Sequence, residues 1–148
     1  MGGYLEEAKE FYQEALKEFE EGLKEGDKTL IRDACEKAWG AVVQATNELF
    51  VRKGIEKLPK SHRERRLLLY QLEKMDDQVK GAEIVDRFMA RDHVLHMRGF
   101  YNGDIDPEEV KENLTKVKQF IKDIGKMIAR EEALISIKSG EVRFEEDH

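Results

Sequence analysis

Cysteine and proline are almost absent from this chain, and each shortage narrows what it can be. One cysteine and two prolines occur in 148 residues. A lone Cys35 excludes an intramolecular disulfide and a thiolate metal cluster within one chain. It stands in a helical stretch beside Ala34 and Ala38 and reads as a small packing residue rather than a nucleophile. Scarce proline leaves long helices uninterrupted. No apolar run reaches the roughly 20 residues of a membrane-spanning helix. Met1-Gly2-Gly3-Tyr4-Leu5-Glu6 lacks the basic and apolar regions of a secretory signal, and Glu6 stands where a myristoylation site needs Ser or Thr. A cytoplasmic protein without membrane contact is therefore expected. Excess positive charge is missing too: the net charge of −6 argues against a broad nucleic-acid surface but leaves room for a small local site.

Charged residues make up 39% of the chain and hydrophobic ones 40%, the balance of amphipathic helices solvated on one side. With only three Asn and five Gln beside many Glu and Lys, the composition fits a protein of a hot environment. The periodicity predicts an all-α protein, an antiparallel up-and-down bundle of four to five helices in one domain over residues 1–138. An acidic, fraying tail is expected from Ser139 to His148. The first helix spans about Tyr4 to Lys24, with Leu5, Ala8, Tyr12, Ala15, Phe19 and Leu23 inward. The second, capped by Asp27, runs to about Lys53 and turns Ile31, Ala34, Ala38, Val42, Ala45 and Leu49 inward. Ser61-His62-Arg63-Glu64 reads as a capping box for a third helix bearing Leu68, Leu72, Met75 and Val79. The fourth covers about Ala82 to Tyr101. The fifth starts at Asp106-Pro107-Glu108-Glu109 and carries Val110, Leu114, Val117, Ile121, Ile124 and Ile128.

The fourth helix breaks the pattern. With Arg91 at 0° and about 100° per residue, Ile84, Leu95, Phe88 and Val85 fall at about 20°, 40°, 60° and 120°. Asp92 falls at about 100°, on that buried face, and His96 at about 140°, on its edge. Arg87, Arg91 and Arg98 line the other edge. A carboxylate on an apolar face is costly unless it is paired. Either Asp92 joins a structural ion pair, or a polar cavity exists here. Arg91 and His96 do not converge in one regular helix. Either the helix distorts between them, or two copies combine across a two-fold axis; the second possibility motivates a homodimer.

Arg91-Asp92-His93-Val94-Leu95-His96, followed by Phe100-Tyr101, resembles the Arg, polar residue, three variable residues, His motif of the HEPN superfamily of helical bundles. Ala34-Cys35-Glu36-Lys37-Ala38-Trp39-Gly40-Ala41 and Lys60-Ser61-His62-Arg63-Glu64 are similar to second-helix and third-helix signatures of its archaeal PaREP-type branch. The resemblance extends from about Ala8 to Val110. It implies a homodimer that binds RNA or nucleotide, as a metal-independent ribonuclease or toxin-system component. In that reading His96 is the general acid or base on a ribose 2′-hydroxyl, Arg91 stabilises phosphate charge, and Asp92 orients one of them. Arg87, Arg98, Tyr101, His62, Lys37, Glu36 and Trp39 are the substrate-binding candidates. The rival is a non-catalytic module that docks a protein partner such as a nucleotidyltransferase.

Other constellations carry less. His93 and His96 with Asp92 could offer two imidazoles and a carboxylate to a metal, but the Glu-x-x-His repeats of a di-metal bundle are absent. No metal or cofactor is expected. Lys60, His62, Arg63, Arg65 and Arg66 form a basic cluster that reads as a solvated helix start or a nucleic-acid contact. Trp39 reads as core or dimer packing, or as a base-stacking surface. No Ser-His-Asp set, glycine-rich phosphate loop or dinucleotide fingerprint is present.

Overall fold

The computed structural model describes residues 3–139, which are helical apart from short connections. α1 (Gly3–Glu25) is followed by α2 (Lys28–Arg52), α3 (His62–Met75), α4 (Asp77–Gly81) and α5 (Ile84–Arg91). A π-helix, π1 (Asp92–Tyr101), continues directly from α5, and α6 (Pro107–Ser139) completes the domain. No strand occurs among the described residues, and no helix is long and apolar enough to cross a membrane. The acidic tail predicted by the sequence lies, past Ser139, outside the described residues.

Local chemistry accounts for most boundaries. Gly26, at φ +67°, supplies the left-handed residue that ends α1. Asp27 accepts hydrogen bonds from the amides of Thr29 (2.9 Å) and Leu30 (3.2 Å) and starts α2. Ser61 Oγ accepts from the Glu64 amide at 3.1 Å, while the Glu64 carboxylate accepts from the Lys60 amide at 2.9 Å. That is the predicted capping box, with the return bond displaced by one residue. Ser61→Ala should therefore lower stability by about 1 kcal/mol, read as a reduced urea midpoint at unchanged m-value.

α1 and α2 pack along their lengths, and α6 closes the core against both. The inward set predicted for α2 is buried throughout, as are the sets for α6 and for the segment from Ile84 to Leu95. Alanines at 34, 38, 41 and 45 have no exposed surface and let the neighbouring helices approach closely. Two predicted inward residues face solvent instead: Leu23, where Gly22 takes the buried position, and Met75, which is 81% exposed. Met75 fails because the third helix does not continue to Val79. Asp76 leaves helical geometry at φ −132° and ψ 109°, caps α4 through the amides of Gln78 and Val79, and pairs with Lys53 at 2.6 Å. Leu69 fills the core position instead.

The predicted fourth helix is the larger correction. A left-handed Glu83 (φ 55°) delays its start to Ile84, and the α-helix gives way to π-helical geometry after Arg91. π-Helical segments are mostly single turns and cluster at functional sites; this one has 10 residues. α2 holds it in place. Arg32 donates from Nε (3.1 Å) and Nη2 (2.6 Å) to the Phe100 carbonyl, satisfying the end of the widened coil. Gly99 packs on Cys35 so closely that a Cβ there would lie 2.9 Å from Sγ. A side chain at position 99 would force π1 away from α2.

Candidate functional site

Five rings meet where α2, α3, α5 and π1 come together. Trp39, on the buried side of α2 and 2% exposed, stacks on His96 with centroids 5.5 Å apart and planes 26° apart. Phe88 meets the indole at 5.0 Å. His62, in the first turn of α3, approaches His96 edge to face at 4.9 Å and Trp39 at 5.4 Å. Tyr101 meets His96 at 4.9 Å while remaining 61% exposed, which makes it the rim of the cluster. His96 itself is 7% exposed.

The hydrogen bonds assign the imidazole protons. His96 Nδ1 lies 2.8 Å from Glu36 Oε1. The carboxylate accepts, so Nδ1 carries a hydrogen, and in the neutral ring Nε2 is left with a free lone pair. His62 Nδ1 lies 3.2 Å from Arg65 Nη1, and a guanidinium can only donate. His62 Nδ1 therefore accepts, and the proton of the neutral ring sits on Nε2. The two histidines thus hold opposite tautomers, one with a basic Nε2 and one with a donating Nε2–H. Arg65 turns inward, away from the basic cluster read in the sequence. It also donates to Asn47 Oδ1 (3.4 Å) and the Pro59 carbonyl (3.2 Å). Its role was not visible in the sequence, where it was one of several neighbouring cations.

Burial, and then the charges of His96 and Arg65, hold His62 below its ordinary value of 6.5. The sign for stability follows. As pH falls through 6.5 the unfolded chain takes up a proton at this position before the folded chain does, so acid destabilises the fold. Wild type should lose more stability than His62→Gln over that interval in urea titrations; parallel curves would contradict the assignment.

Asp92 is half-buried, and its Oδ1 has no hydrogen-bond partner. It bonds neither Arg91 nor His96 and joins no ion pair among the described residues; its charge acts on His62, raising that group's proton affinity. Arg91 is 8% exposed and opens onto a cavity beside α6 with Arg87 and Lys116. It shares no hydrogen bond or ion pair with His96. The helix does distort between them, the first of the two possibilities the periodicity allowed: π-helical geometry begins at Asp92, with Arg91 on that cavity and His96 in the ring cluster.

Several other candidates are engaged elsewhere. Lys37 pairs with Glu18, and Arg98 pairs with Glu109 at 2.6 Å. Arg87 pairs with Asp123 at 2.9 Å. Cys35 is buried, and burial, followed by the charges of Glu36 and Glu109, pushes its thiol up to about 12, the behaviour of an inert packing residue. His93 is exposed, and no group of three or more His, Cys, Asp or Glu side chains forms a metal-binding set among the described residues. The structure thus brings together Glu36, Trp39, His62, His96 and Tyr101, with Asp92 nearby, and separates them from Lys37, Arg87, Arg91 and Arg98.

Residues 3–121 match the family model described as the Archaeal PaREP1/PaREP8 family. No curated protein and no solved structure matches the chain.

Proposed function

We propose that this chain, which belongs to the archaeal PaREP1/PaREP8 family, binds RNA and cleaves it without metal at the His96–Glu36–His62 cluster. The observation that carries the reading is a buried imidazole fixed by a carboxylate through Nδ1, beside a second imidazole of opposite tautomer. In this reading His96 Nε2 takes the proton of a ribose 2′-hydroxyl. The 2′-oxygen forms a bond to phosphorus as the bond to the 5′-oxygen breaks, and the imidazolium returns its proton to that leaving oxygen. The products are a 2′,3′-cyclic phosphate and a 5′-hydroxyl. Glu36 stabilises the transient imidazolium, and His62 Nε2–H donates to a non-bridging phosphate oxygen. Tyr101, exposed at the rim, offers a stacking surface for a base. The likeness of the Arg91 to His96 stretch to the HEPN motif supports the same chemistry, although within the chain Arg91 shares no hydrogen bond or ion pair with His96. A second copy could bring an Arg91 to His96 across a two-fold axis, and a homodimer is part of the proposal. Sedimentation as a monomer at micromolar concentration would remove that part.

The test is incubation of purified protein with RNA in EDTA, beside His96→Ala and beside a substrate with 2′-deoxyribose at the cleaved position. Cleavage only by wild type, and only of the ribose substrate, is the expected result. Equal cleavage by His96→Ala, or none by wild type, overturns the catalytic reading. Absence of RNA and nucleotide binding as well would favour a protein-docking module. That second reading is supported by the exposure of Leu67, Tyr70 and Met75 on α3.

A further inference from the structure

The cavity between α5 and α6 contains a cation with no ion pair to any described residue. Arg87 and Asp123 form an ion pair at 2.9 Å across it. Both oxygens of Asp123 are in use, since Oδ2 accepts from Arg87 and Oδ1 accepts from Gln119 Nε2 at 2.8 Å. Arg87 spends Nη1 on the Ala82 carbonyl at 3.2 Å. Arg91 lies next to this satisfied pair, more than nine-tenths buried, with its Nε enclosed and unpartnered and no ion pair to any described residue. Lys116 lines the same cavity, likewise without an ion pair. The remaining acids on the lining, Glu83 and Asp86, are exposed at its edge.

A buried charge without a partner is among the costliest arrangements in a protein interior, and the cost is removed when a counter-charge enters. Burial, and next the like charge of Arg87, lower the proton affinity of Arg91. A guanidinium presents a planar fork of donors matched to two oxygens of a tetrahedral anion, and an ammonium on the opposite wall supplies a second charge. We propose that this cavity binds a phosphate group, with Arg91 as its anchoring donor and Lys116 as the second cation. None of the residues lining it belongs to the imidazole cluster, and the inference does not depend on RNA cleavage. The phosphate comes either as the free ion or as a terminal group on a nucleic acid.

Titration calorimetry with inorganic phosphate, at constant ionic strength held by chloride, tests the site in the full chain. Arg91→Met should weaken phosphate binding by about tenfold to a hundredfold, the loss of one charge-assisted hydrogen-bonding group. Arg91→Lys, which keeps the charge and loses the fork, should fall between. Urea unfolding supplies a readout of opposite sign. Without phosphate, Arg91→Met should be at least as stable as wild type, because it removes an unpaired buried charge. With phosphate, wild type should gain stability and the variant should not. An all-deoxy oligonucleotide, which has no 2′-hydroxyl to react, identifies the source. Tighter binding with a 5′-phosphate than without assigns the site to nucleic-acid ends, and phosphate binding without that preference assigns it to the free ion. No phosphate binding by wild type, or equal binding by Arg91→Met, overturns the proposal.

Discussion

Alanine at position 39 is expected to cost the fold about 3 to 5 kcal/mol, the range for deleting a large buried aromatic side chain. Trp39 is 2% exposed and touches Phe88, His62 and His96, so its removal opens a void shared by α2, α3 and π1. One term works the other way. The indole Nε1 is buried without a hydrogen-bond partner, and deleting an unsatisfied donor returns about 1 to 3 kcal/mol. The loss should therefore fall toward the lower end of the range. Trp39→Phe, which keeps a ring and removes the same donor, should be markedly milder. Urea unfolding followed by far-ultraviolet circular dichroism measures both, since the alanine variant has no tryptophan to report. Equal losses for alanine and phenylalanine would show that the ring is not what supports the cluster.

His96→Ala is expected to lower RNA cleavage by about a hundredfold to ten-thousandfold, the contribution of one well-placed proton-transfer group. The fall should appear in kcat more than in KM, because the imidazole acts on the proton in flight rather than on substrate held at rest. Glu36 is a positioning residue in this reading. Glu36→Gln keeps an oxygen able to accept from His96 Nδ1 at the 2.8 Å separation but removes the charge that steadies the imidazolium. It should retain more activity than Glu36→Ala, and both should leave RNA binding near wild type. A Glu36→Ala enzyme as active as wild type would separate the carboxylate from the chemistry.

The contrast between Arg91 and His62 shows which parts of the site were legible. Arg91 and His96 were conspicuous because they interrupt an amphipathic pattern, and helical arithmetic had already placed them apart. In the structure they share no hydrogen bond or ion pair, Arg91 lining a cavity beside α6 and His96 lying among the rings. His62, read from its neighbours alone, belonged to a basic cluster at a helix start, and only the family resemblance made it a substrate-binding candidate. Its contact with His96 spans 34 residues of sequence and depends on how α3 lies against π1, which no periodicity encodes. The same holds for Arg65, whose neighbours Arg63 and Glu64 look equally solvated in sequence. One helical turn decides that Arg65 faces Asn47 and the Pro59 carbonyl while Arg63 faces water.

Cysteine and proline scarcity, the spacing of apolar residues and the capping side chains of Asp27 and Ser61 determined an all-α bundle and most of its inward faces. These are local properties, because a helix forms and turns its apolar stripe inward on information within a few turns. The break at Asp76, the left-handed Glu83 and the long π-helix were decided by tertiary contacts. Lys53 draws Asp76 out of the helix, Arg32 satisfies the widened end at Phe100, and Cys35 leaves room only for a glycine at position 99. The lone cysteine that excluded disulfides from the sequence became, in the folded chain, the surface against which the site-bearing helix is seated.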